Sequence, residues 1–441
     1  MDRPDVAREF PGGRTAIARF RDGTVGRSTL EPGWVWSRDV GTGLDLEWCP
    51  TPHLGYVVSG RMAGRTRTGE EFAYGAGDAF ALESGHDVWV VGDETYVSID
   101  VAKVSPRFAP PAADVLDSIG DTPLVRLRRV VRPGMSRVFV KLEGANPTGS
   151  MKDRMAKAAI GAAERDGRLR PGGSVVEYTG GSTGTSLALV CAARGYPLHI
   201  VTSDAFSQEK RDHQAALGAR VTLVQSDRGL ITEQLVKTMI AIARGISQDT
   251  GAWWFDQLNN HDGFTGYEPL GDEIWEQTAG TVDAFVHSVG TAHSIHGVTA
   301  ALRRHRPDIL TVAVEPAESP VLSEGRTGAH EIEGIGIGFV PPLWDPTDAG
   351  EIVAVSTHDA HEMARRLTRE EGLFAGASSG ANVVAALRLA ERLGPDATIV
   401  TLLVDIGLKY LTTEVYQHAE RASIAEVVPL MSREELGLTA E

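Results

Sequence analysis

The pattern of apolar and polar positions changes near residue 115. Between residues 29 and 101, short apolar runs such as 55–59 and 80–82 are separated by glycines and charged residues, and no long helical period interrupts them. Strands at this close spacing, bounded by turn residues, indicate an all-β sandwich or small barrel. We therefore predict an all-β domain over residues 1–104.

A short segment separates this pattern from the next one. Residues 105–114 read Ser-Pro-Arg-Phe-Ala-Pro-Pro-Ala-Ala-Asp, which is rich in proline and alanine. This composition predicts a stiff, extended linker. A second domain is predicted over residues 115–441.

In the second domain, predicted strands alternate with predicted helices. The strands are expected at 138–142, 174–177, 198–201, 220–224, 284–288, 310–314 and 399–404. Such alternation predicts an α/β fold with a parallel sheet covered by helices on both faces. In this architecture, ligands bind at the carboxyl ends of the strands, where loops meet helix N-termini.

One of these loops carries a lysine. The strand 138–142 runs into a glycine-containing turn, and Lys152 lies at the start of a predicted helix that Ser150 can cap. Schiff-base chemistry with a carbonyl cofactor requires a lysine whose pKa is depressed by its surroundings, because only the neutral amine attacks. The chain has only seven lysines. An ordinary first-turn lysine that reaches solvent would have the same local sequence.

Three further strand-to-helix turns bear hydroxyl groups. Residues 177–184 present hydroxyls and backbone amides at a helix N-terminus, which suits a carboxylate, and residues 288–297 suit a phosphate in the same way. Residues 376–382 place two serines at another helix start. Each turn alone is also explained as a glycine-rich turn with a serine cap. Together with Lys152, in one sheet, they would hold a phosphorylated aldehyde bonded to an amino acid.

The composition excludes several classes of protein. A net charge of −16 and a pI near 5.3 argue against nucleic-acid or anionic-membrane partners. Two cysteines without a CxxC pair indicate neither a disulfide framework nor a zinc cluster. The N-terminus lacks an apolar export segment, and no apolar run reaches the ~18 residues of a membrane span. We expect a soluble, cytoplasmic protein that acts on small molecules.

The order of motifs over residues 115–420 resembles the cysteine synthase and cystathionine β-synthase family, which are fold type II pyridoxal-phosphate enzymes. The motifs that carry this resemblance begin at Ile119 (IGDTPLVRL), Asn146 (NPTGSMKDR), Glu315 (EPAES), Gly334 (GIGIGF), Gly376 (GASSG) and Asp405 (DIG, then YL from Tyr410). The resemblance implies two parallel-sheet subdomains flanked by helices, pyridoxal 5'-phosphate as cofactor, and a homodimer.

The resemblance also implies roles for individual residues. Lys152 would form the internal aldimine and move the α proton. Asp405 and Tyr410 would lie near the pyridine ring, where they could also be packing residues. The cofactor would contact Asn146, Ser182, Gly290, Thr291, Ala292, His293, Ser294 and Ser378. The substrate carboxylate would contact Thr179, Gly180, Ser182, Thr183 and Gln257.

Two loops depart from the family pattern. The carboxylate loop commonly reads Thr-Ser-Gly-Asn-Thr, whereas residues 179–183 read Thr-Gly-Gly-Ser-Thr, so that Ser182 replaces an amide. The phosphate loop, commonly Gly-Thr-Gly-Gly-Thr, reads Gly-Thr-Ala-His-Ser at 290–294. A protonated His293 would add a charge-assisted bond to a phosphate, and the alternative is a histidine that points to solvent. Asn146 would support either the turn or the cofactor ring.

The N-terminal region resembles the cupin barrel at residues 53–60, 77–78 and 85–87. Catalytic cupins present a His-x-His pair, a glutamate and a further histidine to a metal. Here His53 is followed by Leu54 and Gly55, so the pair is broken, and Cys49, His53 and His86 are the scattered candidates that remain. A transition-metal site needs three or four converging ligands. We therefore expect a barrel without a metal.

The function implied by the resemblance is β-replacement on an O-activated serine, serine or cysteine. The reaction passes through an aminoacrylate and gives cysteine or another β-substituted alanine. The first alternative is a β-eliminating lyase of the cysteine desulfhydrase or serine dehydratase type. The second is a ligand-sensing protein that uses the cupin-like domain and has lost catalysis.

Overall fold

The computed structural model describes residues 6–20, 23–44, 46–102 and 114–417. The predicted linker lies outside these residues except for Asp114, and so do residues 418–441. The boundaries of the two domains therefore stay predictions.

The N-terminal region is mostly strands, as predicted. Its strands are β1 (Val6–Phe10), β2 (Gly13–Phe20), β3 (Gly23–Leu30), β4 (His53–Ser59), β5 (Arg61–Thr66), β6 (Glu71–Gly75), β7 (Ala79–Leu82), β8 (His86–Val91) and β9 (Tyr96–Ala102). They form a six-stranded sheet in the order β1-β2-β3-β9-β4-β7 and a three-stranded sheet in the order β6-β5-β8. A π-helical turn (Ser37–Gly41) and the short helix α1 (Thr42–Leu44) precede β4.

The alternation of buried and exposed side chains explains how these sheets pack. In β7, Phe80 and Leu82 are buried while their neighbours are exposed. All strand pairs described in this region are antiparallel, which allows one face to be buried and the other to face water. The buried faces share one apolar core that includes Trp34, Val57 and Met62.

The second region contains two sheets. Its strands are β10 (Leu124–Arg126), β11 (Arg137–Leu142), β12 (Val175–Tyr178), β13 (Leu198–Ser203), β14 (Arg220–Val224), β15 (Trp253–Trp254), β16 (Ala284–Ser288), β17 (Leu310–Pro316), β18 (Glu351–Val355) and β19 (Thr398–Leu403). One sheet has the order β10-β11-β19-β16-β17-β18, and the other has the order β14-β13-β12-β15. Every pair is parallel except β10 with β11.

Helices connect and cover these strands. They are α2 (Lys152–Asp166), α3 (Ser182–Arg194), α4 (Gln208–Ala216), α5 (Glu233–Thr250), α6 (Glu268–Gln277), α7 (His293–His305), α8 (Val321–Glu324), α9 (Thr357–Arg366), α10 (Ala377–Leu393) and α11 (Glu414–Gln417). Short 3-10 turns occupy Val115–Ser118, Glu143–Ala145, His261–Gly266, Pro346–Asp348 and Gly407–Tyr410, and a π-turn occupies Leu367–Glu371. None of the described helices combines the length and the apolar character that a bilayer crossing requires.

All seven predicted strands are present, with ends shifted by up to two residues. The motif pattern placed the functional turns in one sheet, and that expectation is wrong. The lysine turn follows β11 and the phosphate turn follows β16 in the six-stranded sheet, whereas the carboxylate turn follows β12 in the four-stranded sheet. Periodicity identifies strands but does not say which strands pair, so the division appears only in the structure and in the fold implied by the resemblance.

Close packing of small residues brings the third turn to the site. Most of the first ten residues of α10 are alanine, glycine or serine, and these ten are all buried. A side chain at Gly380 would collide with the backbone oxygen of Ala360 in α9. Helix α10 therefore lies against α9 with almost no separation, which fixes the position of its N-terminus.

Candidate active site

The turn that carries Lys152 is anchored on both sides. The amide of Met151 donates to the oxygen of Val404 at 3.0 Å, and the amide of Ile406 donates to the oxygen of Gly149 at 3.0 Å. The amide of Lys152 donates to Oγ of Ser150 at 3.2 Å, although the N-cap residue of α2 is Met151 rather than Ser150. Lys152 therefore begins α2 on a fixed backbone, at the wall of a pocket between the two sheets.

The surroundings of Lys152 favour its neutral amine. Burial lowers the pKa of the Lys152 ammonium to about 8, and the positive charges of Lys409 and Lys210 act in the same direction. Asp405 opposes them. The ordinary lysine pKa is near 10.4, so the neutral fraction at neutral pH is raised by about two orders of magnitude. This is the depressed lysine that Schiff-base chemistry requires.

The carboxylate turn lies on the same pocket. Thr179, Gly180, Ser182, Thr183 and Gln257, the residues predicted for the carboxylate, all line it. Oγ1 of Thr179 accepts from the amide of Gly181 at 3.0 Å, and Thr183 donates to the side-chain oxygen of Gln257 at 2.9 Å. The helix α3 begins at Ser182, within the predicted turn, so its N-terminal amides face the pocket.

The phosphate turn contributes three of its five predicted residues to the pocket lining. Gly290, Thr291 and Ser294 line the pocket, whereas Ala292 and His293 do not. Ala292 has a φ of 70°, a left-handed conformation that directs the chain into α7. A side chain at position 290 would collide with the oxygen of Gly334, so the turn requires glycine there.

His293 is neither a charged phosphate ligand nor a solvent-exposed residue, and both expectations are wrong. It is 1% exposed, and burial lowers the pKa of its imidazole to about 4. Its Nε2 lies 2.7 Å from the oxygen of Asn260, which can only accept, so Nε2 carries the proton. Its Nδ1 then accepts from the hydroxyl of Thr291 at 2.8 Å. His293 thus orients Thr291 rather than the phosphate.

A second buried histidine, His287, donates a hydrogen bond to Ser294, whereas His293 accepts one from Thr291. Burial lowers the pKa of His287 to about 3, so the ring is neutral. Its Nδ1 faces the side-chain amide of Asn382 at 3.3 Å and accepts from it, which leaves the proton on Nε2. Nε2 donates to Oγ of Ser294 at 2.7 Å. The Ser294 proton remains free to be donated into the pocket, whereas the Thr291 proton is already engaged.

Asn146 does not line the pocket. Its side-chain oxygen accepts from the amide of Gly120 at 3.0 Å, and its amide group donates to the oxygen of Glu143 at 2.9 Å and to a Glu143 carboxylate oxygen at 3.0 Å. These bonds use the side-chain oxygen as an acceptor and the side-chain NH₂ group as a donor to two oxygens. Of the two expectations for Asn146, the structure therefore shows that it supports the turn. The expected contact with the cofactor is wrong, because Asn146 does not line the pocket.

The third turn places Ser378, Asp405 and Tyr410 on the pocket wall. Ser378 is the second residue of α10. One carboxylate oxygen of Asp405 accepts from the Tyr410 hydroxyl at 2.7 Å and from Ser182 at 3.2 Å, which links this turn to the carboxylate turn. The other oxygen of Asp405 is buried without a partner among the described residues.

The structure adds charged residues that the sequence reasoning missed. Lys210 and Glu333 line the pocket and form an ion pair of 2.6 Å, with side chains only 2% and 9% exposed. The Lys210 ammonium also lies 4.1 Å from the ring centroid of Tyr410. Lys409 is buried nearby, and burial lowers the pKa of its ammonium to about 8. The scarcity of lysines was the only available signal, since three of the seven meet here.

The pocket fits the cofactor that the resemblance implies. Lys152 supplies a poised amine, and the start of α7 supplies backbone amides, the Ser294 hydroxyl and a position where only glycine fits. The Ser288 hydroxyl, which also lines the pocket, is buried without a partner among the described residues. Unsatisfied buried polar atoms are rare in folded proteins and indicate a missing partner.

Known proteins resemble the chain over this region. Residues 115–405 match the family model described as pyridoxal-phosphate dependent enzyme. Cysteine synthase from Staphylococcus aureus (strain Mu50 / ATCC 700699) is 40% identical over 308 residues, which cover 69% of this chain and 97% of that protein.

Solved structures agree with this match. O-ureido-L-serine synthase is 35% identical, with a TM-score of 0.67 over 71% of this chain and 98% of that chain. Cysteine synthase from Entamoeba histolytica is 34% identical, with a TM-score of 0.67 over 73% of this chain and 95% of that chain. The matches cover the two-sheet region and its pocket. The chain therefore belongs to the pyridoxal-phosphate dependent enzyme family, with the fold type II architecture.

Proposed function

We propose that the chain is a β-replacement enzyme that acts on an O-activated serine, or on serine or cysteine, and makes cysteine or another β-substituted alanine. The observation that supports this most is the position of Lys152 between a carboxylate turn and a phosphate turn. The similar proteins are named for cysteine and O-ureido-L-serine, which are both β-substituted alanines.

Bound pyridoxal phosphate supplies an electron sink that stabilises negative charge on the substrate α carbon. The pocket residues do the rest. Lys152 Nζ is placed to take the α proton and to return it later, because its pKa of about 8 lies near the working pH. Gly290, Ser294 and the amides at the start of α7 would hold the phosphate.

The carboxylate turn would fix the amino-acid end of the substrate. The amides at the start of α3 and the Thr179 and Thr183 side chains surround the space next to Lys152. A carboxylate placed there is stabilised by the positive end of the helix. With its carboxylate held, the substrate would present its α carbon to Lys152 and its β substituent to the rest of the pocket.

Ser378 favours loss of a β substituent, and Ser182 affects the space beside the β carbon. The resemblance puts Ser378 opposite the pyridine nitrogen, and a serine lacks the negative charge that would retain a proton there. The negative charge at the α carbon is then dispersed less, so a leaving group on the β carbon departs readily. Ser182, in place of the family's asparagine, is held by Asp405 at 3.2 Å. The shorter side chain leaves room beside the β carbon for a different leaving group or nucleophile.

A product assay tests this proposal. The cofactor-loaded protein is mixed with O-acetylserine, O-phosphoserine, serine or cysteine, each with a thiol or an amine acceptor, and the new amino acid and pyruvate are quantified. Replacement predicts that the new amino acid accumulates and that pyruvate falls as the acceptor is raised. Pyruvate that persists at saturating acceptor would show elimination instead, and the absence of any product would support a sensor that has lost catalysis.

The organisation of the whole protein is also proposed. We expect a cupin-like domain over residues 1–104, a linker over 105–114, a catalytic domain over 115–441, a homodimer, and a cytoplasmic location. The strand-rich N-terminal region and the net charge of −16 support the domain order and small-molecule partners. Light scattering after size exclusion tests the dimer, and limited proteolysis within 105–114 tests the boundary.

A further inference from the structure

Cys49 and His53 lie four residues apart, and His86, more than thirty residues further along the chain, meets them in the N-terminal region. The sequence pattern predicted scattered residues, whereas in the structure their side chains lie close together. Antiparallel pairing joins Cys49 to His86, with the Cys49 amide donating to the His86 oxygen at 2.8 Å. His53 begins β4 and His86 begins β8. One ligand atom from each of the three lies within 4.8 Å of the other two.

Both imidazoles are oriented by a partner on the far side of the ring. Nδ1 of His86 lies 2.5 Å from the oxygen of Glu83, which can only accept, so Nδ1 carries the proton and Nε2 keeps its lone pair. Nδ1 of His53 faces a carboxylate oxygen of Asp100 at 3.6 Å, and its Nε2 faces Sγ of Cys49 at 3.6 Å. Metal-binding histidines are oriented in this way, by a carbonyl or carboxylate behind the ring.

The spacing suits a tetrahedral ion. An ion about 2.3 Å from a sulfur and about 2.0 Å from a nitrogen holds these two atoms about 3.5 Å apart. The observed distance between Sγ of Cys49 and Nε2 of His53 is 3.6 Å. The widest pair, within 4.8 Å, would have to close to about 3.3–3.5 Å, a contraction of about 1.5 Å or less, to complete three bonds. One sulfur with two imidazoles suits zinc and similar transition ions, and does not suit magnesium or calcium, which prefer oxygen.

A cavity lies in front of the three side chains. It has a volume of about 310 Å³, and Cys49, His53, His86 and Asp100 form part of a lining that is otherwise mainly apolar. The indole N–H of Trp34, another lining residue, is buried without a partner among the described residues. A fourth coordination position would open into this cavity, as in zinc sites that bind an exchangeable water or ligand.

We propose that Cys49, His53 and His86 bind one divalent transition-metal ion of the zinc class, with its fourth position open to the cavity. The ligand set contains a thiolate and differs from the His-x-His, glutamate and histidine set of catalytic cupins. Asp100 is a positioning residue, because it acts through His53. The Tyr96 hydroxyl, which also lines the cavity, lacks a partner among the described residues, like the indole N–H, so the cavity fits a small, mainly apolar ligand that carries a hydrogen-bonding polar group.

Zinc binding by the full-length, cofactor-loaded protein tests this proposal. Metal is removed with a chelator, and zinc alone is titrated by calorimetry, with magnesium as the comparison ion. About one zinc per chain is expected, with none in Cys49→Ala or His86→Ala. The controls Cys191→Ala and His358→Ala, which change the other cysteine and an exposed histidine, should keep the site. No zinc uptake, or uptake that Cys49→Ala leaves unchanged, would overturn the proposal.

Two measurements guard against a folding defect in the variants. Cobalt substituted for zinc should give a thiolate-to-cobalt charge-transfer band that Cys49→Ser loses while far-ultraviolet circular dichroism stays unchanged. Asp100→Asn, which retains all three ligands, should weaken zinc binding by about 10- to 100-fold. An affinity equal to that of the unmodified protein in Asp100→Asn, together with no sulfur band, would contradict the proposed site.

Discussion

The catalytic pocket and the N-terminal cavity are built in different ways. In the catalytic pocket, Lys152 and the two anion-binding turns stand between a strand and the helix that follows it, so their positions follow from local sequence. In the N-terminal cavity, Cys49 and His53 come from one short stretch, and His86 comes from a distant strand that pairs with Cys49. Both regions gather side chains suited to binding a ligand. Only the first kind of site can be recognised from a continuous motif.

The two regions also differ in charge. The catalytic pocket holds Lys152, Lys210, Glu333 and Asp405 in its lining, whereas the N-terminal cavity is lined mainly by apolar side chains such as Trp36. A charged pocket in which some buried polar atoms lack a hydrogen-bond partner among the described residues fits an anionic cofactor and a zwitterionic substrate. An apolar cavity with a few polar atoms at one side fits a single metal ion and a small ligand.

Lys152→Ala should have the largest effect and should be confined to the catalytic pocket. Loss of the amine removes cofactor attachment and the proton transfer at the α carbon, so turnover should fall by about 10²- to 10⁴-fold or more. Product formation and the visible absorbance of the bound cofactor provide the measurements. Lys157→Ala, which changes the other lysine of α2, should keep both. Retained turnover in Lys152→Ala would contradict the assignment.

Glu333→Gln should strongly destabilise the fold because it leaves Lys210 buried without its partner. Breaking a buried ion pair costs about 3–5 kcal/mol of unfolding free energy. The matched control is Glu233→Gln, which breaks an exposed pair with Lys237 of the same 2.6 Å length and should cost about 0.5 kcal/mol or less. Urea unfolding measures both. Equal costs would show that the pocket is more hydrated than its burial indicates.

The two hydroxyls of the phosphate turn should contribute unequally. Ser294→Ala removes a donor that is free to face a phosphate, so cofactor affinity should fall by about 10- to 150-fold. Thr291→Val removes a hydroxyl that already donates to His293, so the loss should stay below about fivefold. Equilibrium dialysis of the cofactor measures both. Equal losses would contradict the proton assignment on the two histidines.

The pH dependence of cofactor uptake by the apoprotein should report the lowered pKa of Lys152. Below that pKa, the neutral amine falls about tenfold for each pH unit. The uptake rate should therefore rise with pH and level off near pH 8, where burial has placed the Lys152 pKa. Rapid-mixing absorbance measures the rate. A rate that still rises steeply near the ordinary lysine pKa of about 10.4 would show a solvated amine.

Much of the catalytic region could be predicted from the sequence, because turns and helix starts are local features. Seven of the ten strands, Lys152 at a helix start and the carboxylate turn all followed from short stretches, whereas β10, β15 and β18 were not predicted. Periodicity did not predict the division of the strands into two sheets, which only the family resemblance implied. The roles of His287 and of the Lys210–Glu333 pair were missed, since they depend on contacts between distant segments. The prediction of a protonated His293 was wrong because burial lowers the pKa of its imidazole, and nearness to a phosphate turn does not reveal that burial.

The central claim is that the cofactor is attached to Lys152, and locating the attached lysine tests it most directly. The pKa alone does not decide, because burial lowers the pKa of both Lys152 and Lys409 to about 8. Lys152, however, lines the pocket between the two anion-binding turns. Borohydride reduction of the cofactor-loaded protein, followed by peptide mass spectrometry, should place the cofactor on Lys152. A label on Lys409 or Lys210, or no label, would contradict the account.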